Sequence, residues 1–148
     1  MESGSDQGLI TLLTQISKAL HRRTTEELLG MRLKQFLLLG QLRDRGGASQ
    51  QDLESALLID ANSVVLLLNE LEAAGLSVRK RDPNDRRRHL VELTPAGRVA
   101  LEKGEKARES LEDELLSDFS PEERATLRKL LRRVLDGLLR AVPDHAKV

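Results

Sequence analysis

The sequence predicts a mainly α-helical fold that contains one small β-hairpin. Apolar residues recur at spacings of three and four at both ends of the chain, the period of amphipathic helices. Two short helical patterns, Ser49 to Ala56 and Asp60 to Ala74, are separated by only three residues, a spacing that fits a helix-turn-helix. From Leu76 to Gly97, apolar residues alternate on both sides of a turn. The chain has 148 residues and is 39% hydrophobic, which suits one folding unit with two lobes.

The first predicted element is an amphipathic helix near the amino terminus. Its apolar positions follow the helical spacing: Leu9, Leu12, Leu13, Ile16 and Leu20. The preceding segment, Met1 to Gly8, is polar, and we expect a frayed tail there and no secretory signal. No stretch approaches the roughly 20 apolar residues of a membrane span, so we expect a cytoplasmic protein.

Both helices of the predicted helix-turn-helix carry end signals. Ser49 caps the first helix, with Asp52 at the capping-box position, and Asp60 caps the second. Gly75 supplies the left-handed stop that ends the second helix. One face of the second helix is apolar and is predicted to pack on the core: Val64, Leu67, Leu68 and Leu71. The rest of that helix is left to face outward.

A basic β-hairpin is predicted to follow. Leu76 and Val78 on one arm, and Val91 and Leu93 on the other, show the strand period of two around a turn at 82–85. Cations crowd toward the tip: Arg79, Lys80, Arg81, Arg86, Arg87 and Arg88. A hairpin with cations at its tip suits a groove lined with phosphate groups.

The chain has equal numbers of cationic and anionic residues, but its cations are concentrated in one stretch. The whole sequence has 24 Lys and Arg against 24 Asp and Glu, whereas the stretch from Leu76 to Arg98 has seven cationic and three anionic residues. A cationic patch on a neutral protein indicates a local partner. A turn whose charges serve only solubility is the alternative.

Two further helices complete the predicted chain. One runs from about Thr94 to Phe119, with Thr94 as cap and Pro95 at the first helical position. The last begins with a Ser120 cap and carries a continuous apolar line: Leu127, Leu130, Leu131, Val134, Leu135, Leu138 and Leu139. The apolar residues of the first and last helices exceed what one small lobe can cover. We expect an intertwined homodimer, with an intramolecular helix bundle as the alternative.

Composition and motifs disfavour several other classes of protein. The chain has no cysteine, which excludes disulfides, thiolate metal sites and catalytic thiols. Its three histidines are dispersed, so we predict no metal site and no other cofactor. It has no glycine-rich phosphate loop, nucleophile elbow or zinc-protease histidine pair, and we predict that it is not an enzyme. Two phenylalanines are its only aromatic residues, which favours duplex DNA over RNA or single strands.

The region around the hairpin resembles the MarR family of winged-helix transcriptional regulators. The residue types and spacings that carry this resemblance lie from Leu71 to Leu76, at Arg79, from Asp82 to Arg87 and from Leu93 to Gly97. Length and element order extend the resemblance over nearly the whole chain. The resemblance implies a winged helix-turn-helix with a helical dimerisation lobe.

This resemblance also implies the division of the chain and the residues that bind DNA. Residues 1–148 form one MarR-like domain, in which residues 32–97 are the DNA-binding lobe and residues 8–28 and 98–142 the dimerisation lobe. The second helix of the helix-turn-helix enters the major groove, Arg86 or Arg87 reaches the minor groove, and Asp85 supports the wing. The DNA-binding residues are then Asn62, Ser63, Asn69, Arg79, Lys80, Arg86, Arg87 and Arg88.

The predicted groove face departs from the family, which often carries arginine there. It has three apolar residues, Ala61, Val65 and Leu66, and three polar ones, Asn62, Ser63 and Asn69. Asparagine pairs with adenine and apolar side chains contact the thymine methyl group, so we predict an A·T-rich operator. Burial of Val65 and Leu66 under a neighbouring element, or loss of specific DNA binding, are the alternatives.

The function implied is a ligand-responsive repressor that binds a palindromic operator as a homodimer. The predicted dimerisation residues are Leu9, Leu13, Ile16, Leu127, Leu131, Val134 and Leu138. Members of the family often bind small aromatic or phenolic effectors between the lobes, and the candidates to line such a site are Leu12, His21 and Phe36. A protein-interaction module that has lost specific DNA binding, and uses Val65 and Leu66 as its contact, is the alternative function.

Overall fold

The computed structural model describes residues 8–140, and the predicted fold class is confirmed: the protein is mainly helical with one two-strand antiparallel hairpin. Its elements are α1 (Leu9–Arg23), α2 (Glu26–Leu29), α3 (Leu33–Arg45), α4 (Gln50–Leu57), α5 (Ala61–Ala73), β1 (Ser77–Arg81), β2 (His89–Leu93), α6 (Pro95–Leu115) and α7 (Pro121–Leu138). The predicted tail at residues 1–7, and positions 141–142 of the predicted dimerisation lobe, lie outside the described residues. The chain divides into two compact units, Met1–Glu109 and Ser110–Val148.

The core of the first unit is built almost entirely from aliphatic side chains of α3, α4, α5, β2 and α6. The predicted inner face of α5 is confirmed, because Val64, Leu67, Leu68 and Leu71 are each no more than 3% exposed. They pack in one cluster with these buried residues of the neighbouring elements: Phe36, Leu38, Leu39, Leu42, Leu53, Val91 and Leu101. One apolar cluster therefore fixes the helix-turn-helix and the second hairpin strand in a single unit.

The two hairpin strands pair in a register that sets the direction of every side chain. Ser77 lies opposite Leu93, Arg79 opposite Val91 and Arg81 opposite His89. On its other edge, β2 is joined by Ala48, which exchanges backbone hydrogen bonds of 3.0 and 2.8 Å with Val91. The second strand is therefore the inner one, and β1 lies at the edge.

The register also shows which apolar residues of the two arms share a face, a point that the period of two within each arm leaves open. Val78 lies opposite Glu92, so its side chain is on the face of the hairpin away from Val91 and Leu93. The inward place on β1 is taken by Ser77, which is buried. The reason is that Val91 is buried in the core cluster, which makes the Val91 face of the hairpin the inner one.

Three elements meet where α5 ends and α6 begins. Gly75 adopts a left-handed φ of +77°, and the Leu76 N–H donates back to the Leu71 carbonyl over 2.9 Å, which closes α5. The Thr94 hydroxyl donates to the Gly75 carbonyl over 2.7 Å and accepts from the Gly97 N–H over 3.0 Å, so the predicted Thr94 cap of α6 is confirmed. This junction, residues 75–76 and 94–97, joins the helix-turn-helix, the hairpin and α6.

In the second unit, the predicted start of the last helix is confirmed and the predicted end of the preceding one is wrong. Ser120 and Glu123 form a reciprocal capping box, with hydrogen bonds of 2.9 and 3.1 Å, ahead of α7. Helix α6 ends at Leu115 and not at Phe119. Residues 116–119 form a turn because the Phe119 N–H donates to the Leu116 carbonyl over 2.9 Å. Arg124 fastens this turn by donating to the Leu116 carbonyl over 2.8 Å.

We predict that Gly97→Ala destabilises the fold, because a Cβ atom at this position would lie 2.1 Å from the Leu76 carbonyl oxygen, a backbone atom that cannot turn aside. The expected loss is about 1–3 kcal/mol of unfolding free energy, the usual cost of overpacking. Urea unfolding followed by circular dichroism measures it.

The matched control is Gly40→Ala in α3, where a Cβ atom meets nothing within 4 Å. That variant should gain about 0.5–1 kcal/mol, the usual benefit of replacing glycine by alanine within a helix. Equal stability of Gly97→Ala and the wild-type protein would contradict the close approach at the junction.

Candidate nucleic-acid interface

Helix α5 is held at its amino end by a side-chain cap. The Asp60 carboxylate accepts from the Ser63 N–H over 2.7 Å, and this hydrogen bond holds the pKa of the Asp60 carboxyl below its ordinary value. In the preceding helix, Ser49 and Asp52 form the predicted capping box, and the bond from the Ser49 N–H lowers the pKa of Asp52 in the same way. Both caps of the predicted helix-turn-helix are thus confirmed.

The face of α5 opposite the core is a stripe of mixed chemistry. Asn62, Val65, Leu66 and Asn69 follow the helical spacing and are all exposed, while Ser63 is half-buried. Val65 is 38% and Leu66 58% exposed, so no neighbouring element in the described part of the chain buries them. We call these four exposed residues the reading stripe. It presents two branched apolar side chains between two amides.

The wing tip, residues 82–88, has its backbone fixed by two aspartates. The buried Asp82 accepts from the Asn84 N–H over 2.9 Å, and its own N–H donates to the Arg88 carbonyl over 3.0 Å. Asp85 accepts from the Arg87 N–H over 3.0 Å, and the same carboxylate oxygen lies 3.5 Å from Arg87 Nε. The tip is therefore an ordered turn and not only a run of charge.

Three arginines project from this turn into solvent. Arg86, Arg87 and Arg88 are all exposed, and the Arg87 side chain is 93% exposed. Arg81 crosses beneath them, where its guanidinium donates to the Arg86 carbonyl over 2.7 Å. Because the aspartates of the tip bind backbone N–H groups, the tip presents a cationic end to a partner.

The cations of β1 lie in a different setting from those of the tip. Lys80 pairs with Glu92 at 3.0 Å across the outer face of the hairpin. Arg79 is on the inner face, where its guanidinium donates to the side-chain amide oxygen of Asn69, Oδ1, over 2.9 Å and lies 3.7 Å from a Glu72 carboxylate oxygen. The structure thus brings two of the predicted DNA-binding residues, Asn69 and Arg79, into direct contact with each other.

Sequence reasoning missed two residues of this surface. Glu72 has no place among the predicted site residues, and Arg81 was noted only as a charge. The hairpin register is the signal that could have found Glu72, since placing Arg79 opposite Val91 turns its side chain toward the helix. The face that is turned toward the helix is the one on which Val91 is buried in the core, and no local pattern shows that burial.

The predicted effector residues are not gathered side by side. Leu12 and His21 are exposed on α1, nine positions apart and therefore on opposite sides of that helix. Phe36 is buried in the core cluster, with its ring at the position where a Cβ atom on Gly104 would lie. Phe36 supports the packing of α3 on α6 in this unit.

The predicted dimerisation residues lie on two helices that bury none of their side chains. On α1, Leu9 and Ile16 are exposed and Leu13 is partly buried. On α7, Leu131 and Leu138 are exposed, and Leu127 and Val134 are partly buried. In each unit the helix thus carries an apolar face open to solvent.

Two further classes of site were sought in the described residues. No group of three or more His, Asp or Glu side chains among residues 8–140 could hold a metal ion. Within the same range, no helix is long and apolar enough to cross a membrane.

A capped helix-turn-helix followed by a cationic hairpin is the winged helix-turn-helix fold, and its family follows from comparison with known proteins. A family model described as "MarR family" matches residues 29–88. The multiple antibiotic resistance protein MarR of Salmonella typhimurium is 32% identical over 102 residues, 68% of this chain and 71% of that protein. The chain belongs to the MarR family, which comprises transcriptional regulators and not enzymes.

Solved structures agree with this assignment. BpsR of Bordetella bronchiseptica, whose DNA binding is regulated by 6-hydroxynicotinic acid, has a TM-score of 0.77 and 31% identity, over 89% of this chain and 95% of that one. A mutant MarR from E. coli, complexed with operator DNA, has a TM-score of 0.69 and 27% identity, over 87% of this chain and 99% of that one. Three other curated relatives align with this chain over only part of their own length, namely 58%, 66% and 65%.

Proposed function

We propose that the protein is a sequence-specific DNA-binding repressor of the cytoplasm that acts as a homodimer on a palindromic operator. The observation that carries this proposal is an exposed reading stripe on α5, joined to the hairpin by the Arg79–Asn69 hydrogen bond, together with exposed arginines on an ordered wing tip. The binding of operator DNA by the related MarR supports it. The partner is duplex DNA, with no cofactor required.

The two halves of the surface suit the two grooves of DNA. An α-helix fits the major groove, where each base pair shows a distinct pattern, so α5 reads sequence there. Arg86 or Arg87 enters the adjacent minor groove, whose negative potential in A·T tracts attracts guanidinium groups. Asp85 keeps the wing backbone in shape, and Lys80 and Arg88 add attraction to phosphates that is independent of sequence.

The homodimer follows from the apolar faces of α1 and α7. Exposed leucines and isoleucines at helical spacing on two helices need a partner, and a second copy of the chain offers the same faces. A twofold dimer presents two reading helices to half-sites about one helical turn apart, which makes the operator palindromic.

The reading stripe favours recognition of thymine. Its centre is apolar, and Val65 and Leu66 can contact the 5-methyl group that distinguishes thymine in the major groove. No arginine lies on the stripe to pair with guanine. The operator is therefore rich in A·T pairs.

Repression is relieved by a small aromatic or phenolic effector that changes the spacing of the two reading helices in the dimer. Such a shift requires different affinities of the effector for the two states. The regulation of BpsR by 6-hydroxynicotinic acid, a hydroxylated aromatic acid, supports this part of the proposal.

We predict that selection from random duplexes at two salt concentrations enriches a palindromic, A·T-leaning motif with half-sites about 10 base pairs apart. The Arg86→Ala, Arg87→Ala double variant should bind all sequences more weakly, with the salt slope reduced by about 0.9 for each lost phosphate contact. The Lys18→Ala, Arg22→Ala double variant, which also removes two cations at exposed positions of α1, is the charge-matched control.

Single half-sites in the enriched pool would contradict the dimer. Binding without any enrichment would mean that the stripe does not read sequence. Absence of salt-sensitive binding would favour the alternative, a protein-interaction module that uses Val65 and Leu66.

We predict that replacing thymine by uracil throughout the selected operator weakens binding by about fourfold for each contacted methyl group, the value of one buried methyl. Fluorescence anisotropy measures the two affinities. In Leu66→Ala this penalty should shrink, whereas Val99→Ala, at an exposed position of α6, should keep it. Equal affinity of the wild-type protein for both duplexes would rule out methyl recognition.

We predict that 6-hydroxynicotinic acid, added as a probe of the effector class, lowers the affinity of the protein for its selected operator. Calorimetry of the free protein should show saturable binding, and acetate serves as a non-aromatic control. No heat and no change in DNA affinity would refute this effector class and leave the DNA-binding proposal standing.

A further inference from the structure

Arg79 differs from the cations of the wing tip because its guanidinium contacts α5. It shares the inner face of the wing with Ser77 and Val91, both buried, so its side chain extends over α5 and not away from it. Its side chain is 36% exposed, against 61% for Lys80 and 93% for Arg87. An arginine directed toward its own protein is poorly placed to bind phosphate.

The guanidinium of Arg79 has two partners on one face of α5. It donates to the side-chain amide oxygen of Asn69, Oδ1, over 2.9 Å and lies 3.7 Å from the Glu72 carboxylate, three residues further along the helix. The planar guanidinium can engage both groups at once because its donors are arranged as a fork, whereas the compact ammonium of lysine is a point charge. We call Asn69, Glu72 and Arg79 the Arg79 clamp.

The clamp also accounts for the negative charge beside the reading stripe. Glu70 and Glu72 both lie in the carboxyl-terminal half of α5, where they would repel DNA if left unpaired. Glu70 is paired with Arg32 and accepts from Gln35, and Glu72 is paired with Arg79. Both acidic side chains within α5 are therefore matched by a cation of the same protein.

The clamp further sets the orientation of the Asn69 amide. Its oxygen faces Arg79, which directs the NH₂ group as the free donor of this side chain. An amide held in this way presents donors to acceptors in the major groove, such as purine N7 or thymine O4. If Arg79 were absent, the amide could rotate and the donor would no longer be fixed.

We propose that Arg79 is a positioning residue, which fixes the wing on α5 and orients Asn69 for base reading, and is not a phosphate-binding residue. This inference rests on the proposed function, and it changes the role expected for two of the predicted DNA-binding residues. The arginines of the wing tip contact DNA, and Arg79 holds the wing at a fixed angle to α5.

The test is the charge-conserving variant Arg79→Lys, with affinity measured for the selected operator and for a scrambled duplex over a series of salt concentrations. We expect operator affinity to fall about tenfold, as for loss of one charge-assisted hydrogen bond. The salt slope and the affinity for the scrambled duplex should not change, because the charge is kept. Arg22→Lys, at an exposed position of α1 outside the proposed interface, should retain both affinities.

Asn69→Ala completes a double-mutant cycle with Arg79→Lys. After Asn69 is removed, the lysine substitution should cost much less operator affinity, since its main partner is already gone. Wild-type operator affinity in Arg79→Lys, or additive losses in the cycle, would overturn the proposal. A third result would also overturn it. If Arg79→Ala lost the same affinity for the operator and for the scrambled duplex, and its salt slope were lower by about 0.9, Arg79 would be contacting a phosphate.

A second measurement separates this proposal from the proposed function. If the wild-type protein shows no preference for any duplex, the proposed function fails. The double-mutant cycle can then be measured as urea unfolding midpoints of the wild-type protein, the two single variants and the double variant. Non-additive midpoints would establish the clamp in the free protein. Additive midpoints would show that Arg79 and Asn69 are not coupled, which overturns the inference independently of DNA.

Discussion

The close approach of Gly97 to the Leu76 carbonyl is the constraint on which the arrangement of this surface depends. Leu76 lies where the chain leaves α5 and enters the hairpin. Gly97 lies where the chain leaves the hairpin and enters α6, so the close approach joins the two passages. Thr94 binds Gly75 on one side and Gly97 on the other, so a single hydroxyl connects the end of the reading helix to the start of the next. The base of the wing therefore has little freedom relative to α5.

Hydrogen bonds and ion pairs then fix the side chains that apolar packing leaves unspecified. Apolar contacts bury one face of α5 and one face of β2, which places the two elements but leaves their outer residues unspecified. Arg79 with Asn69 and Glu72, Lys80 with Glu92, and the aspartates of the tip fix those outer residues. Exposed ion pairs contribute little to stability. Their value here lies in geometry, since they decide which cations face a partner.

Local features of this protein could be predicted from sequence, and features that join distant segments could not. The caps at Ser49, Asp60 and Ser120, and the stop at Gly75, involve residues within a few positions of one another. The facing of Val78 and of Arg79 follows from the burial of Val91 in a core cluster built from several elements, and no local pattern shows which elements build it. The exposure of Val65 and Leu66 likewise depended on which elements pack around α5.

The strand order has a consequence for how the protein behaves in concentrated solution. Since Ala48 covers one edge of β2, the free edge of the small sheet is β1, with three successive cations at Arg79, Lys80 and Arg81. An open strand edge is a template for pairing with another molecule, and charged side chains on it discourage such pairing. Two copies that approach along β1 bring like charges together. The cations of β1 therefore also discourage edge-to-edge aggregation of the protein.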